Sequence, residues 1–148
     1  MAATIDDAGF VRAPAWLVYR RLTRVAAWPD WWTGCRVRPI VAPDGGDRWA
    51  VQLADGPLRR LRIGVRLHGW RPGLGVELDV DGDVVGGAEF WLEATHGGVV
   101  VHHVANVASP RARPVRVETG YRRAVRRGLW GLKEALQLEA RTSAGLVP

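Results

Sequence analysis

Polar and apolar residues change rhythm once along this chain. Between Cys35 and Ala108 they alternate with a period near two, and from Pro114 to about Ala140 they recur every three to four positions. The first rhythm predicts strands over 35–41, 48–54, 58–70, 74–81, 84–94 and 99–108, separated by Pro-Asp-Gly-Gly, Asp-Gly-Pro, Arg-Pro-Gly, Asp-Gly-Asp and Thr-His-Gly-Gly. Loops this short imply an antiparallel meander. The second rhythm predicts one long amphipathic helix. Val117, Tyr121, Ala124, Val125, Gly128, Leu129, Leu132, Ala135 and Leu136 fall on one arc of it. Arg123, Arg126, Arg127, Lys133, Glu134, Gln137 and Arg141 fall on the other. So continuous a stripe needs a broad apolar surface, and the strands are the only candidate; the expected product is one helix gripped by a curved sheet.

Small residues break the stripe. A glycine inside a helix costs roughly 1 kcal/mol relative to alanine, so Gly128 signals either close backbone approach or space left open beside the helix. Trp130 lies opposite Tyr121 among the arginines, which marks a contact with a neighbouring segment or with a second chain, a homodimer included. Ahead of the meander, residues 3–12 carry a loose strand pattern. Pro14 stands where a first helical turn would begin, and Ala15, Val18, Tyr19 and Leu22 share one face of a short helix ending near Arg24. Trp28, Trp31 and Trp32 crowd around Pro29 and Asp30, in what reads as a second short helix closing one end of the core. That aromatic area either packs into the core, the commoner outcome, or covers an opening and stacks on a planar ligand.

Two hairpins predict register. A turn at residues 71–73 would set Leu67 opposite Val76, Val65 opposite Leu78 and Ile63 opposite Val80, with Arg66 facing Glu77 and Arg62 facing Asp81 on the other side. His68 then lies on the outer, polar face. The Thr95–Gly98 turn would set Ala94 against Val99, Leu92 against Val101, Phe90 against His103 and Ala88 against Ala105, all toward the helix, with Trp91 and His102 pointing away. On the inner face so defined only His103 and Tyr121 bring side-chain polarity, with Cys35 at the rim. A buried neutral histidine can act as a general base and a tyrosine can hold a carbonyl or enolate oxygen. The same pair also reads as a core histidine satisfied by Tyr121 or by backbone.

At 148 residues the chain is expected to form one domain with a core of its own. Cys35 is the only cysteine, so no disulfide forms within the chain and a reducing cytoplasm fits best. Residues 1–9 lack a basic and an apolar region of the kind a leader needs, and no stretch approaches the length of a transmembrane helix. The net charge of +6 comes from arginine, Lys133 being the only lysine, a bias that a GC-rich genome explains as well as a polyanionic partner does. Arg111, Arg113, Arg116, Arg122, Arg123, Arg126 and Arg127 nevertheless gather near the start of the long helix, where they form a solvated face or a surface for RNA, a ribosome or an anionic membrane. DNA is not expected as a partner. His102 and His103 are adjacent in a strand and point to opposite faces, so they cannot chelate one metal together. No Gly-x-Ser-x-Gly elbow, phosphate loop or dinucleotide fingerprint occurs. Neither a metal nor a cofactor is expected.

The order of elements resembles a known family. Strand, short helix, Trp-Pro-x-Trp-Trp (28–32), antiparallel strands, Gly-Asp-x-x-Gly (82–86), Ala-Glu-Phe-Trp-Leu-Glu (88–93), a Gly-Gly hairpin, a valine-rich strand and a long final helix are similar to the SRPBCC superfamily of START-like, helix-grip proteins. Nearest within it is the bacterial polyketide cyclase/dehydrase and lipid-transport group. The resemblance spans essentially the whole chain and implies an α+β fold, with seven antiparallel strands wrapped around the C-terminal helix and an apolar cavity between them. Residues that would line such a cavity are Val37, Val65, Leu78, Phe90, Val101 and His103 from the sheet, Tyr121, Val125 and Leu129 from the helix, and Trp32 at the end. The implied ligand is a hydrophobic small molecule, aromatic, polycyclic or lipid-like. Members of the superfamily cyclise polyketides, carry lipids or quinones, or sense ligands, and no shared catalytic motif transfers to this chain. For the cyclase case His103 would remove an α-proton and Tyr121 would hold the enolate oxygen; for a carrier or sensor both are polar groups of the core.

Overall fold

Alternating residues produce seven strands: β1 (Ala3–Val11), β2 (Cys35–Val41), β3 (Asp47–Ala54), β4 (Arg60–Arg71), β5 (Gly75–Gly82), β6 (Val85–Thr95) and β7 (Gly98–Ala108). They form one antiparallel sheet in the order β1-β7-β6-β5-β4-β3-β2, so every consecutive pair from β2 to β7 is a hairpin and β1 closes the far edge on β7. This is a computed structural model, and it describes residues 3–41, 43 and 46–146. Asp44 and Gly45 of the first expected turn lie outside those residues, as do Met1 and Ala2.

Between β1 and β2 the chain makes α1 (Ala15–Thr23) and a 3₁₀ helix (Val25–Asp30). Pro14 is extended, with φ −65° and ψ 146°, and its carbonyl accepts the first bonds of α1 from Leu17 and Val18. Trp28, Trp31 and Trp32 follow and are all buried. Their rings pack on one another, Trp31 and Trp32 stacked at 5.5 Å. The tryptophan stretch does close one end of the core, as a 3₁₀ turn rather than an α-helix; Pro29, which has no N–H to donate, sits inside it.

The final helix, α2 (Pro114–Leu146), runs longer than the apolar period predicts. Its stripe lies against the sheet as expected: Val117, Tyr121, Ala124, Val125, Leu129, Leu132 and Leu136 are buried, and Trp130 is exposed. Gly128 belongs to the close-approach case. A Cβ there would stand 2.5 Å from the Trp32 indole, whose Nε1 donates to the Ala124 carbonyl at 3.0 Å. The glycine thus lets an aromatic ring lie flat against the helix.

The β6–β7 register is the expected one, with Ala94 opposite Val99, Leu92 opposite Val101, Phe90 opposite His103 and Ala88 opposite Ala105. The β4–β5 register is not. Leu67 pairs with Leu78, Val65 with Val80 and Ile63 with Gly82, two residues away from the expected partners. On the outer side Arg66 faces Asp79 and His68 faces Glu77, while Asp81 lies opposite Gly64 and is paired with Arg48. The cause is a bulge between His68 and Arg71, with Gly69 at φ +59°, followed by a turn over 72–74. A slip of two keeps every side chain on its expected face, so the inner list survives while the ionic partners change. His68 is on the outer face, beside Asp79 at 3.0 Å.

Two buried carboxylates fix the helix to the sheet. Asp55, at the end of β3, accepts a two-pronged contact from Arg123, at 3.0 Å and 2.9 Å. Asp7, on β1, accepts from Arg126 at 3.0 Å and lies 3.4 Å from Arg122. Their partners reach in from α2, as buried charges require.

Candidate functional site

Strand alternation aims His103 of β7 and Phe90 of β6 at α2, and the helical period aims Tyr121 back at them. The result is a compact group: His103 Nε2 and the Tyr121 hydroxyl are 2.9 Å apart, and the His103 ring lies 4.6 Å from that of Phe90. Both polar residues are buried, His103 to 1% and Tyr121 to 3% exposure. Burial lowers the His103 pKa to about 4, against opposing influences from Asp7 and the Glu89 backbone, and pushes the Tyr121 hydroxyl well above its ordinary range. At neutral pH both are therefore uncharged. His103 Nδ1 has no hydrogen-bond partner. If Tyr121 donates to Nε2, then Nδ1 carries a proton that the neighbouring Glu89 backbone does not receive in hydrogen-bond geometry. In the other tautomer Nδ1 is a bare acceptor and the Tyr121 proton is free. Either way the pair keeps one unused hydrogen-bonding position in an apolar setting.

The sequence reading missed Asp7. It lies directly across from His103 on β1, on the same inner face, and its Oδ2 also lacks a hydrogen bond. The signal was present in the alternation Ile5, Asp7, Gly9, Val11, which puts a carboxylate among inward residues opposite an arginine-rich helix.

Of the other expected lining residues, Val65, Leu78, Val101, Val125, Leu129 and Trp32 are buried in the same layer, and Val37 is half-buried near the β2 edge. Cys35 is buried, and desolvation raises its thiol to about 12, so it stays protonated and inert.

The concave face opens at the far end of β3 and β4. A depression of about 350 Å³ is lined by Trp49, Leu67, Trp70 and Asp47 on the sheet side and by residues 23–27 on the other. Trp49 and Leu67 are half-buried inward residues packed at the edge of the core, and Trp70 follows Gly69 in the bulge. From this mouth one row of side chains crosses the sheet: Val76 pairs with Phe90, Phe90 with His103, and His103 with Asp7. The row ends at Asp7 on β1, four strand spacings from β4, roughly 19 Å away. A separate depression of about 310 Å³ lies on the outer face among His68, Glu77, Asp79 and Glu89 and does not meet this row. His103 and Tyr121 line neither depression; they sit beneath packed side chains.

The arginine face is largely committed. Arg122, Arg123 and Arg126 serve Asp7 and Asp55, Arg127 donates to the Ala54 carbonyl at 2.6 Å, and Arg111 pairs with Asp83 at 3.0 Å. What looked like a free basic patch is mostly the helix's attachment to the sheet. Trp130 is held on its own helix, donating to Glu134 at 2.9 Å with the Lys133 ammonium 5.7 Å from its ring. Among the described residues no cluster of histidine, cysteine and carboxylate could hold a metal, and no helix is long and apolar enough to cross a membrane.

No protein-family model and no curated protein matches this chain. Solved structures do. XoxI from Bacillus cereus superposes with a TM-score of 0.71 at 13% identity, over 91% of this chain and 96% of that one. The Zhui aromatase/cyclase from Streptomyces sp. R1128 gives 0.67 at 14%, covering 95% and 94%. The di-domain aromatase/cyclase StfQ of the steffimycin biosynthetic pathway gives 0.64 at 15%, covering 95% of this chain and 52% of that one. At such identities the likeness is one of architecture: this chain has a helix-grip fold, a curved seven-stranded antiparallel sheet closed on a long C-terminal helix.

Proposed function

We propose that this protein binds a hydrophobic small molecule, with an aromatic or polycyclic body, through the open end of its concave face. The observation that carries this reading is the mouth itself, a depression of about 350 Å³ walled by Trp49, Leu67 and Trp70. Its size and its apolar, aromatic walls suit a planar guest. The row from Val76 through Phe90 to His103 gives the guest a direction of entry. The unused hydrogen-bonding position at the His103–Tyr121 pair gives it one polar anchor, for a carbonyl or hydroxyl oxygen. Reaching that anchor requires Phe90, whose ring packs on His103, to move aside.

Binding without turnover is the better-supported form. A histidine whose conjugate acid titrates near pH 4 is a weak base for removing an α-proton at neutral pH, whereas a neutral imidazole and a neutral phenol remain good hydrogen-bond partners. The second form, a polyketide cyclase/dehydrase, is favoured by the fold likeness to the Zhui and StfQ aromatase/cyclases. There the pocket would gain rate mainly by folding the chain into a reactive conformer, with His103 accepting the proton and Tyr121 holding the oxygen.

Tryptophan fluorescence titrated with a naphthoquinone and an anthraquinone tests the reading. Saturable quenching is expected, and Trp70→Ala, at an exposed position, should weaken it by about tenfold or more, as loss of an aromatic anchor does. Unchanged affinity in that variant would remove the mouth from consideration. Incubation with a poly-β-ketone thioester separates the two forms: the binder leaves it unchanged, whereas a cyclase converts it and loses turnover in His103→Gln.

A further inference from the structure

On the last turns of α2, Lys133, Gln137, Ala140 and Arg141 follow one another at helical spacing on a single face. With Phe10 and Arg12 from the end of β1 they line a groove of about 410 Å³. No carboxylate lines it. The acids nearest in sequence are engaged elsewhere, Glu134 with the Trp130 indole and Glu139 with Arg21 at 2.6 Å. Among the described residues Arg12, Lys133 and Arg141 have no acidic partner, in contrast to Arg122, Arg123 and Arg126 on the same helix. Gln137 is fixed by accepting the Arg12 backbone N–H at 3.2 Å, which leaves its amide NH₂ as a further donor. A second depression of about 400 Å³ shares Arg12 and Ala140 with the first. It runs past Ala13, Pro14 and Ala15 to the β6–β7 turn at Gly97 and Gly98, and its walls are almost entirely apolar or backbone.

Three cations beside an apolar channel match a molecule with one anionic end and a hydrocarbon or aryl body. We propose that this groove is a binding site for amphiphilic carboxylates, outside the sheet–helix interior. The carboxylate lies among Arg12, Lys133 and Arg141, where guanidinium groups can meet both oxygens. The tail lies along residues 13–15 and 97–99. This site is independent of the concave-face reading, since it shares no residue with that mouth.

Amide chemical-shift mapping with octanoate tests it, with octan-1-ol and inorganic phosphate as comparisons. Octanoate should perturb residues 10–15, 97–99 and 133–141 saturably, and each comparison compound should bind at least about tenfold more weakly. The double variant Lys133→Gln, Arg141→Gln should lose octanoate affinity by about tenfold or more. Arg66→Gln, on the outer face of the sheet, should leave it unchanged. The same spectra report whether each variant is folded. Equal affinity for octan-1-ol, an unaffected double variant, or perturbations centred on Trp49, Leu67 and Val101 would each overturn the proposal.

Discussion

His103 resists protonation in the folded chain, with a pKa near 4 against an ordinary 6.5. Between those values the unfolded chain binds a proton that the folded one refuses, so stability is complete above about pH 6.5 and falls as pH drops toward 4. From pH 7 to pH 5 this single group should remove on the order of 2 kcal/mol. Urea unfolding of the parent and of His103→Gln at both pH values measures it: the variant should lose distinctly less on acidification. Tyr121→Phe leaves His103 Nε2 without its partner and should cost about 1–3 kcal/mol at pH 7. These two residues were legible because a two-residue hairpin loop at His96 and Gly97 locks the β6–β7 register, and register decides which way a strand residue points. Asp7 was not. Its strand is an edge whose partner lies some hundred residues away, and nothing local announces that pairing.

At the level of elements, α2 and the tryptophan turn depend on each other. Gly128→Ala would improve helix propensity by roughly 1 kcal/mol, but the added methyl would meet the Trp32 indole. We expect a net loss of about 1–3 kcal/mol, seen as a lower urea midpoint with a changed near-ultraviolet signal from the tryptophans. A stabilised variant would mean that the ring has room to shift, as a guest would require. The β4–β5 hairpin shows the limit of pattern reading at this scale. Charge pairing and apolar pairing agreed on one register, yet a slip of two residues preserves both faces, and only the bulge at Gly69 distinguishes the two. That bulge precedes Trp70 at the mouth, so the irregularity hidden from the periodicity is also the one nearest the site.

For the whole molecule, the change of rhythm from two to 3.6 was enough to foresee a sheet gripping a terminal helix. The mouth was less visible, because Trp49 comes from β3, Leu67 and Trp70 from β4 and the facing wall from the 3₁₀ turn, and these share no sequence motif. The charge of +6 also misleads when taken as a sum. Much of it sits on arginines that hold the helix to the sheet.

The attachments at Asp7 and Asp55 both fall on the first half of α2, between Arg122 and Arg126. Beyond that half, among the described residues, Leu132 and Leu136 pack the helix into the core, and its side-chain polar tethers are the lighter contacts of Gln137 and Glu139. The protein is therefore latched at one end, and its breathing should be lopsided. In hydrogen–deuterium exchange the amides of 117–128 should outlast those of 137–142 and of the tryptophan turn.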